Sequence, residues 1–256
     1  MPDFQPRLAK AIAQGAILAS FQPIVDAQTH HVVGCEAVPC WHDEIYGHVQ
    51  GRTFMPVAQR LGMMEELGLQ VWSHALACLH AWHEQGFGLT LLGNVSRQEF
   101  RVQDFTIRMA TDLRRLGMPL SCVDLEIAEN VVMEDGPTAV ARLTALREAG
   151  FGVVIGEFGS GYSPFSQGFG KPSTGVRIDS ALTRQVHQPE GAELIEAIVK
   201  VARSSNLQTT AASVENAETA AMLTLLGVQR LQGSYIGAPV ERQAFERLLA
   251  QDHHAP

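Results

Sequence analysis

Seven polar residues stand where apolar runs of this chain end: Glu36, Asn94, Glu126, Glu157, Asp179, Glu215 and Gln232. Each follows a stretch of the kind that forms a buried strand, as Phe151 to Ile155 does ahead of Glu157. If the strands close into a parallel barrel, their carboxyl ends share one mouth, where functional groups gather. Clustered oxygen donors suit a hard divalent cation such as Mg2+ or Ca2+, and two adjacent cations could activate a water against a phosphodiester. The competing structural reading is that each acid caps a helix or pairs with an arginine. Other spacings carry less. Gly159 and Gly161 leave the dinucleotide-binding glycine series incomplete and read as a turn. His80 and His83 lie three apart on an expected helix with no evident third ligand, which reads as a surface pair. Ser163 follows no nucleophile-elbow pattern.

The elements that must position these groups follow from periodicity. An amphipathic helix is expected over 5–16. Strands at 18–25 and 32–38 are joined by so short a turn that they must pair antiparallel. Residues 41–52 read as a loop, and 54–66 and 71–85 as helices. A strand–helix rhythm then sets in. Strands are expected at 89–95, 122–127, 151–157, 175–178, 207–211 and 228–231. Helices are expected at 99–116, 137–148, 192–204, 217–226 and 242–249, with a short one near Phe165. Gly150 suits a C-terminal helix cap and Asn216 an N-terminal one. Eight strands with crossovers of suitable length fit a TIM-barrel-like (β/α)8 α/β fold with an antiparallel first strand. An open doubly wound sheet shares the same periodicity. The expected division is an N-terminal helix (1–17) packing on the domain, one barrel domain (18–250) and a polar tail (251–256).

The 256 residues, 46% of them hydrophobic, can bury one large core. A formal net charge of -8 argues against generic nucleic-acid binding. The N-terminus has neither the apolar stretch nor the cleavage site of a secretory signal, and no apolar run reaches eighteen residues. A cytoplasmic protein without a membrane span is the expectation. Cys35, Cys40, Cys78 and Cys122 lie in apolar surroundings without CxxC spacing and read as reduced core cysteines.

Motif by motif, the chain resembles the EAL domain family of bacterial cyclic di-GMP phosphodiesterases, from about Phe21 to Pro239. Phe21-Gln22-Pro23-Ile24-Val25 is similar to the opening QPI strand, and Glu36-Ala37-Val38 with Trp41 resembles the name-giving motif. Asn94-Val95-Ser96 is similar to NVS, and Leu125-Glu126-Ile127-Ala128-Glu129 to LEITE. Gly156-Glu157-Phe158-Gly159 stands where the family has DDFG, and Val176-Arg177-Ile178-Asp179 resembles the KID strand. Ala211 to Glu215 falls on AEGVE, and Gln232-Gly233 with Gly237 and Pro239 resembles the closing elements. The resemblance implies two cations at the mouth, an attacking water, and a cyclic dinucleotide opened to linear pGpG. It places metal ligands at Glu36, Asn94 and Glu126. Gln22, Glu36, Cys40, Asp179, Gly237 and Pro239 fall on ligand-binding positions, and Arg177, Glu215 and Gln232 on remnants of the catalytic set.

Five positions depart from that pattern. Gly156 replaces an aspartate that the resemblance makes a ligand of both cations. Glu157 keeps a carboxylate one methylene longer, Ala212 loses an acid, Arg177 replaces a lysine, and Cys40 replaces an arginine expected on substrate phosphate. Without cations, Glu36, Glu126, Glu157 and Glu215 would face a dianionic dinucleotide. The resemblance with these losses implies a degenerate member without hydrolysis. It would regulate motility, biofilm or virulence through an unidentified protein partner, with cyclic di-GMP bound weakly or not at all. Two alternatives stand: a cyclic di-GMP receptor, or a weak phosphodiesterase. No cofactor is expected, or Mg2+ or Mn2+ on a vestigial site of Glu36, Asn94, Glu126 and Glu157. The family's dimer contacts imply a homodimer, although residues 160–170, with Pro164, Gly168 and Gly170, depart from that pattern too.

Overall fold

Hydrophobic runs and turn residues resolve into alternating strands and helices in a computed structural model, which describes residues 3–101, 103–159 and 171–253. Helix α1 (Phe4–Ala13) precedes strands β1 (Ile17–Asp26), β2 (Val32–Asp43) and β3 (Gly47–Gln50). Helices α2 (Gly51–Arg60) and α3 (Met64–Glu84) lead to β4 (Thr90–Asn94), α4 (Arg97–Arg101), α5 (Gln103–Arg115) and β5 (Val123–Ala128). Helices α6 (Glu129–Asp135) and α7 (Pro137–Ala149) lead to β6 (Gly152–Phe158) and β7 (Gly175–Ile178). The chain ends with α8 (Ser180–Arg184), α9 (Pro189–Ser204), β8 (Gln208–Ala211), α10 (Ala217–Leu225), β9 (Arg230–Leu231) and α11 (Arg242–His253).

Strands follow the order β1-β9-β8-β7-β6-β5-β4-β2, and β1 also pairs with β2, which closes the ring. From β4 to β9 each pairing is parallel, whereas β1 runs antiparallel to β9. This is the TIM-barrel-like α/β fold with an antiparallel first strand, not an open sheet. Ile24, Leu92 and Val154 form one interior layer from the alternate strands β1, β4 and β6.

Residues 41–52, expected as a loop, are instead ordered. β2 runs on to Asp43 and β3 pairs antiparallel with it, Cys40 opposite Gln50 and His42 opposite His48. The tight return uses Asp43, whose Oδ1 accepts from the backbone N–H groups of Ile45 and Tyr46 at 2.9 Å. Charged and histidine side chains on an exposed ribbon hide the period-two signal there. Helix α6, also unforeseen, turns directly out of β5. The expected helix near Phe165 lies outside the described residues, as do Gly161 and Ser163.

The chain forms two compact units: Met1–Gln22 with Glu36–Gly88 and Pro239–Pro256, and Pro23–Cys35 with Leu89–Ala238. In the first, Phe21 packs edge-on against Trp82 with centroids 4.7 Å apart, and Phe245 closes on Trp82 at 4.9 Å. All four cysteines are buried thiols outside any disulfide, and burial pushes those of Cys78 and Cys122 up to about 11. Among the described residues no helix is long and apolar enough to cross a membrane.

β9 is two residues long, so on its β1 side it reaches only Val25 and Asp26. Further back along β1, other groups take the backbone donors. Phe21 N–H donates to the Val240 carbonyl (2.7 Å), Ala19 N–H to His74 Nδ1 (3.1 Å) and Ile17 N–H to Gln70 Oε1 (3.1 Å). His74 must be unprotonated at Nδ1 to accept. Burial, and then the charge of Arg242, hold its pKa below the ordinary histidine value. The unfolded chain gains this proton as pH falls through about 6.5, while the fold resists it, so stability is full above that pH and declines below it. His74→Asn keeps an acceptor at every pH. It should flatten the fall in urea midpoint between pH 7 and pH 5; an unchanged slope would count against His74 as its source.

Candidate functional site at the strand ends

The second unit carries most of the polar strand ends. Asn94 and Glu126 are register partners across β4 and β5, and the Glu126 carbonyl accepts from Val95 N–H at 2.9 Å. Glu126 is buried and Asn94 exposed. Between Ile155 and Phe158 the β6–β7 register slips, so that Gly156 and Glu157 together oppose Arg177. Glu157 takes a left-handed backbone, φ 53°, and its side chain is exposed. A bulge at this point breaks the regular alternation and re-aims the Glu157 side chain.

The dominant contact is an ion pair across three strands. Arg177 on β7 donates from Nη1 to Glu126 Oε2 on β5 at 2.8 Å, passing over β6. The two side chains are only 13% and 10% exposed. They meet because residue 156 has no side chain: a Cβ there would lie 2.1 Å from Glu126 Oε1. Glu126 thus lies in the space an aspartate at 156 would fill. Removing one partner of a buried pair typically costs about 3–5 kcal/mol, because the other charge is left uncompensated.

Other positions are placed as follows. Asp179 caps α8, its Oδ1 accepting from Ala181 N–H at 2.8 Å. Glu129, next to the Glu126 strand, accepts from Gly159 N–H at 3.1 Å. Ala212 is buried, and Ser213 beyond it bonds Ser180 through the two hydroxyls at 2.8 Å. Glu215 is exposed, while Gln232 is buried with its backbone bonded to Ala211 and Val214. Gly237 lies against Pro23, where an added Cβ would stand 2.7 Å from the ring. In the first unit, Gln22, Glu36 and Pro239 are half-buried. Cys40 is buried, and burial raises its thiol pKa.

The EAL resemblance implies carboxylate ligands for two cations at both 126 and 156. Glycine offers none, and one oxygen of Glu126 is taken by a guanidinium. As placed, the donors of this unit do not fit a two-cation centre. Among the described residues, one group of three His, Cys, Asp or Glu side chains has its ligand atoms within 4.8 Å of one another: His42, His48 and Glu241. No spacing rule applied to the sequence picks it out, because two members face each other across a hairpin and the third is about two hundred residues away.

The closed barrel, its antiparallel first strand and the motif residues at its strand ends define a domain of one family. Residues 5–239 match the EAL domain, and the chain belongs to the EAL domain family. It is similar to the oxygen sensor protein DosP of Escherichia coli, 30% identical over 91% of this chain and 29% of that protein. It is also similar to the cyclic di-GMP phosphodiesterase PdeR of E. coli, 28% identical over 94% of this chain and 36% of that protein. The chain therefore spans about a third of the length of these relatives. Among solved structures, the PaMucR phosphodiesterase in its c-di-GMP complex superposes with a TM-score of 0.86. Identity there is 26%, over 94% of this chain and 98% of that one. The EAL domain of Mycobacterium smegmatis DcpA gives 0.73 at 28% identity, over 94% and 100% of the two chains.

The ion pair makes two positions interdependent. Gly156→Asp alone must displace Glu126 while Arg177 still holds it. Gly156→Asp with Arg177→Lys should raise Mn2+ affinity roughly tenfold or more over the parent, and by more than the single changes combined. Calorimetric Mn2+ titration of the four proteins checks this; additive effects would sink the coupling.

Proposed function

We propose that this EAL domain acts in cyclic di-GMP signalling as a receptor that binds the dinucleotide without needing a metal and hydrolyses it slowly. The observation that carries the reading is the Arg177–Glu126 pair over Gly156. The sequence alone suggested four uncompensated glutamates repelling a dianion. Glu126 is instead neutralised by a guanidinium, which takes one of those four charges out of the repulsion and eases binding without cations. The same pair, with no carboxylate at 156, opposes assembly of the two-cation centre that hydrolysis would use. Likeness to the PaMucR c-di-GMP complex over nearly the whole chain supports the choice of ligand.

An inactive regulator working only through a protein partner would share the loss of hydrolysis but not the ligand. Titration of cyclic di-GMP into the protein in EDTA separates the two. A Kd of about 10 µM or tighter is expected; no binding would overturn the receptor reading and leave the protein-contact one. With Mn2+ added, pGpG release should be at least roughly a hundredfold slower than from the PaMucR phosphodiesterase domain run in parallel. Equal rates would overturn the proposal in favour of a phosphodiesterase. Charge also sets the direction of a mutant pair. Arg177→Met should weaken dinucleotide binding about tenfold, and adding Glu126→Gln should recover most of that loss.

A further inference from the structure

We propose that His42, His48 and Glu241 form a site for a transition metal of the zinc class, built on the β2–β3 ribbon and the residue that precedes α11. His42 and His48 are directly opposed across the two strands, with ring centroids 5.0 Å apart. His42 Nε2 lies 3.5 Å from His48 Nδ1 and 2.9 Å from Glu241 Oε1, and His48 Nδ1 lies 3.7 Å from that same oxygen. Three donors around a tetrahedral ion with bonds near 2.05 Å stand about 3.3 Å apart. The observed separations scatter about that value, so an ion could enter with shifts of a few tenths of an ångström.

The proton bookkeeping points the same way. His42 Nε2 can carry one hydrogen, which serves Glu241 or His48 but not both. A cation satisfies the three lone pairs together. Two imidazoles with one carboxylate favour zinc, or its neighbours in the divalent series, over Mg2+, which prefers an all-oxygen octahedron. A fourth position stays open to water.

The backbone that carries each donor is held before any metal arrives. The ribbon's return is fixed by Asp43, which bonds two backbone N–H groups and also accepts from Arg7 Nε at 2.8 Å. Glu241 follows Val240, which exchanges two backbone hydrogen bonds with Phe21 at 2.7 and 3.0 Å. Its own carbonyl accepts from Phe245 N–H, the first turn of α11. The three side chains are exposed, so ions have free access. The site owes nothing to the strand-end acids and does not depend on the receptor reading.

The test uses tag-free chain stripped with EDTA and titrated with ZnCl2 in a buffer containing millimolar Mg2+. One Zn2+ per chain is expected. His42→Ala and His48→Ala should each weaken binding at least thirtyfold, and Glu241→Gln about tenfold. Since alanine on the ribbon could loosen it, Co2+ bound to the unmodified chain supplies an independent reading. Its visible spectrum should show the strong absorption of a tetrahedral ion, abolished by one equivalent of Zn2+. A chain that takes up no Zn2+ in Mg2+ buffer would overturn the proposal. So would uptake unchanged by both histidine variants, or a Co2+ spectrum of the weak octahedral kind.

Discussion

The mouth of this barrel is governed by one buried ion pair. Arg177 and Glu126 sit on strands two apart, and everything between them must be small enough to pass beneath. That condition is met by Gly156 alone. The pair turns what looks like a missing carboxylate into a space that is already in use. It also fixes where Glu126 points.

The same device recurs one step down the strand. Asp124 on β5 leans across Gly152 on β6, where a Cβ would stand 1.8 Å from its Oδ1, and its other oxygen lies 3.7 Å from Arg230 Nη1. Burial pushes the Asp124 carboxyl up and Arg230 pulls it back. A cavity of about 110 Å3 lies beside this pair, lined in part by Ile24, Leu92 and Thr210. Two glycines in β6 thus admit two acids of β5 into the barrel interior, each facing an arginine from a strand farther round the ring, Arg177 of β7 and Arg230 of β9. The interior is a layered apolar core with paired charges set into it, and unpaired charge there would be costly.

Much of the architecture was legible from periodicity. Gly175 to Ile178 falls where the alternation put it, and Asn216 caps α10 by accepting from Thr219 N–H. What escaped has physical reasons. In the β2–β3 ribbon Trp41 and Val49 are buried while His42, His48 and Gln50 are exposed, and four paired positions are too few for hydrophobic alternation to register. Helix α6 follows β5 without a break signal. At the site, Gly156 and Arg177 were each readable as a departure, but their joint meaning was not. They act through a third residue, Glu126, which lies 51 positions from Arg177. A glycine inside an apolar strand does signal close approach of another group. Weighed at Gly156 and Gly152, that signal points to both acids of β5.

The ring of strands is completed unevenly, and this has a consequence for how the molecule behaves in company. Along much of β1 the neighbour that should cover its edge is too short, and a loop carbonyl, a histidine and a glutamine stand in for a strand. Backbone donors met in this way cannot template the addition of a strand from another molecule. The two side chains of α3 therefore act as chaperones of an edge. Were α3 to lift away, the exposed ribbon of β1 would be free to recruit its own kind, and crowding would become the hazard that the closed barrel otherwise avoids.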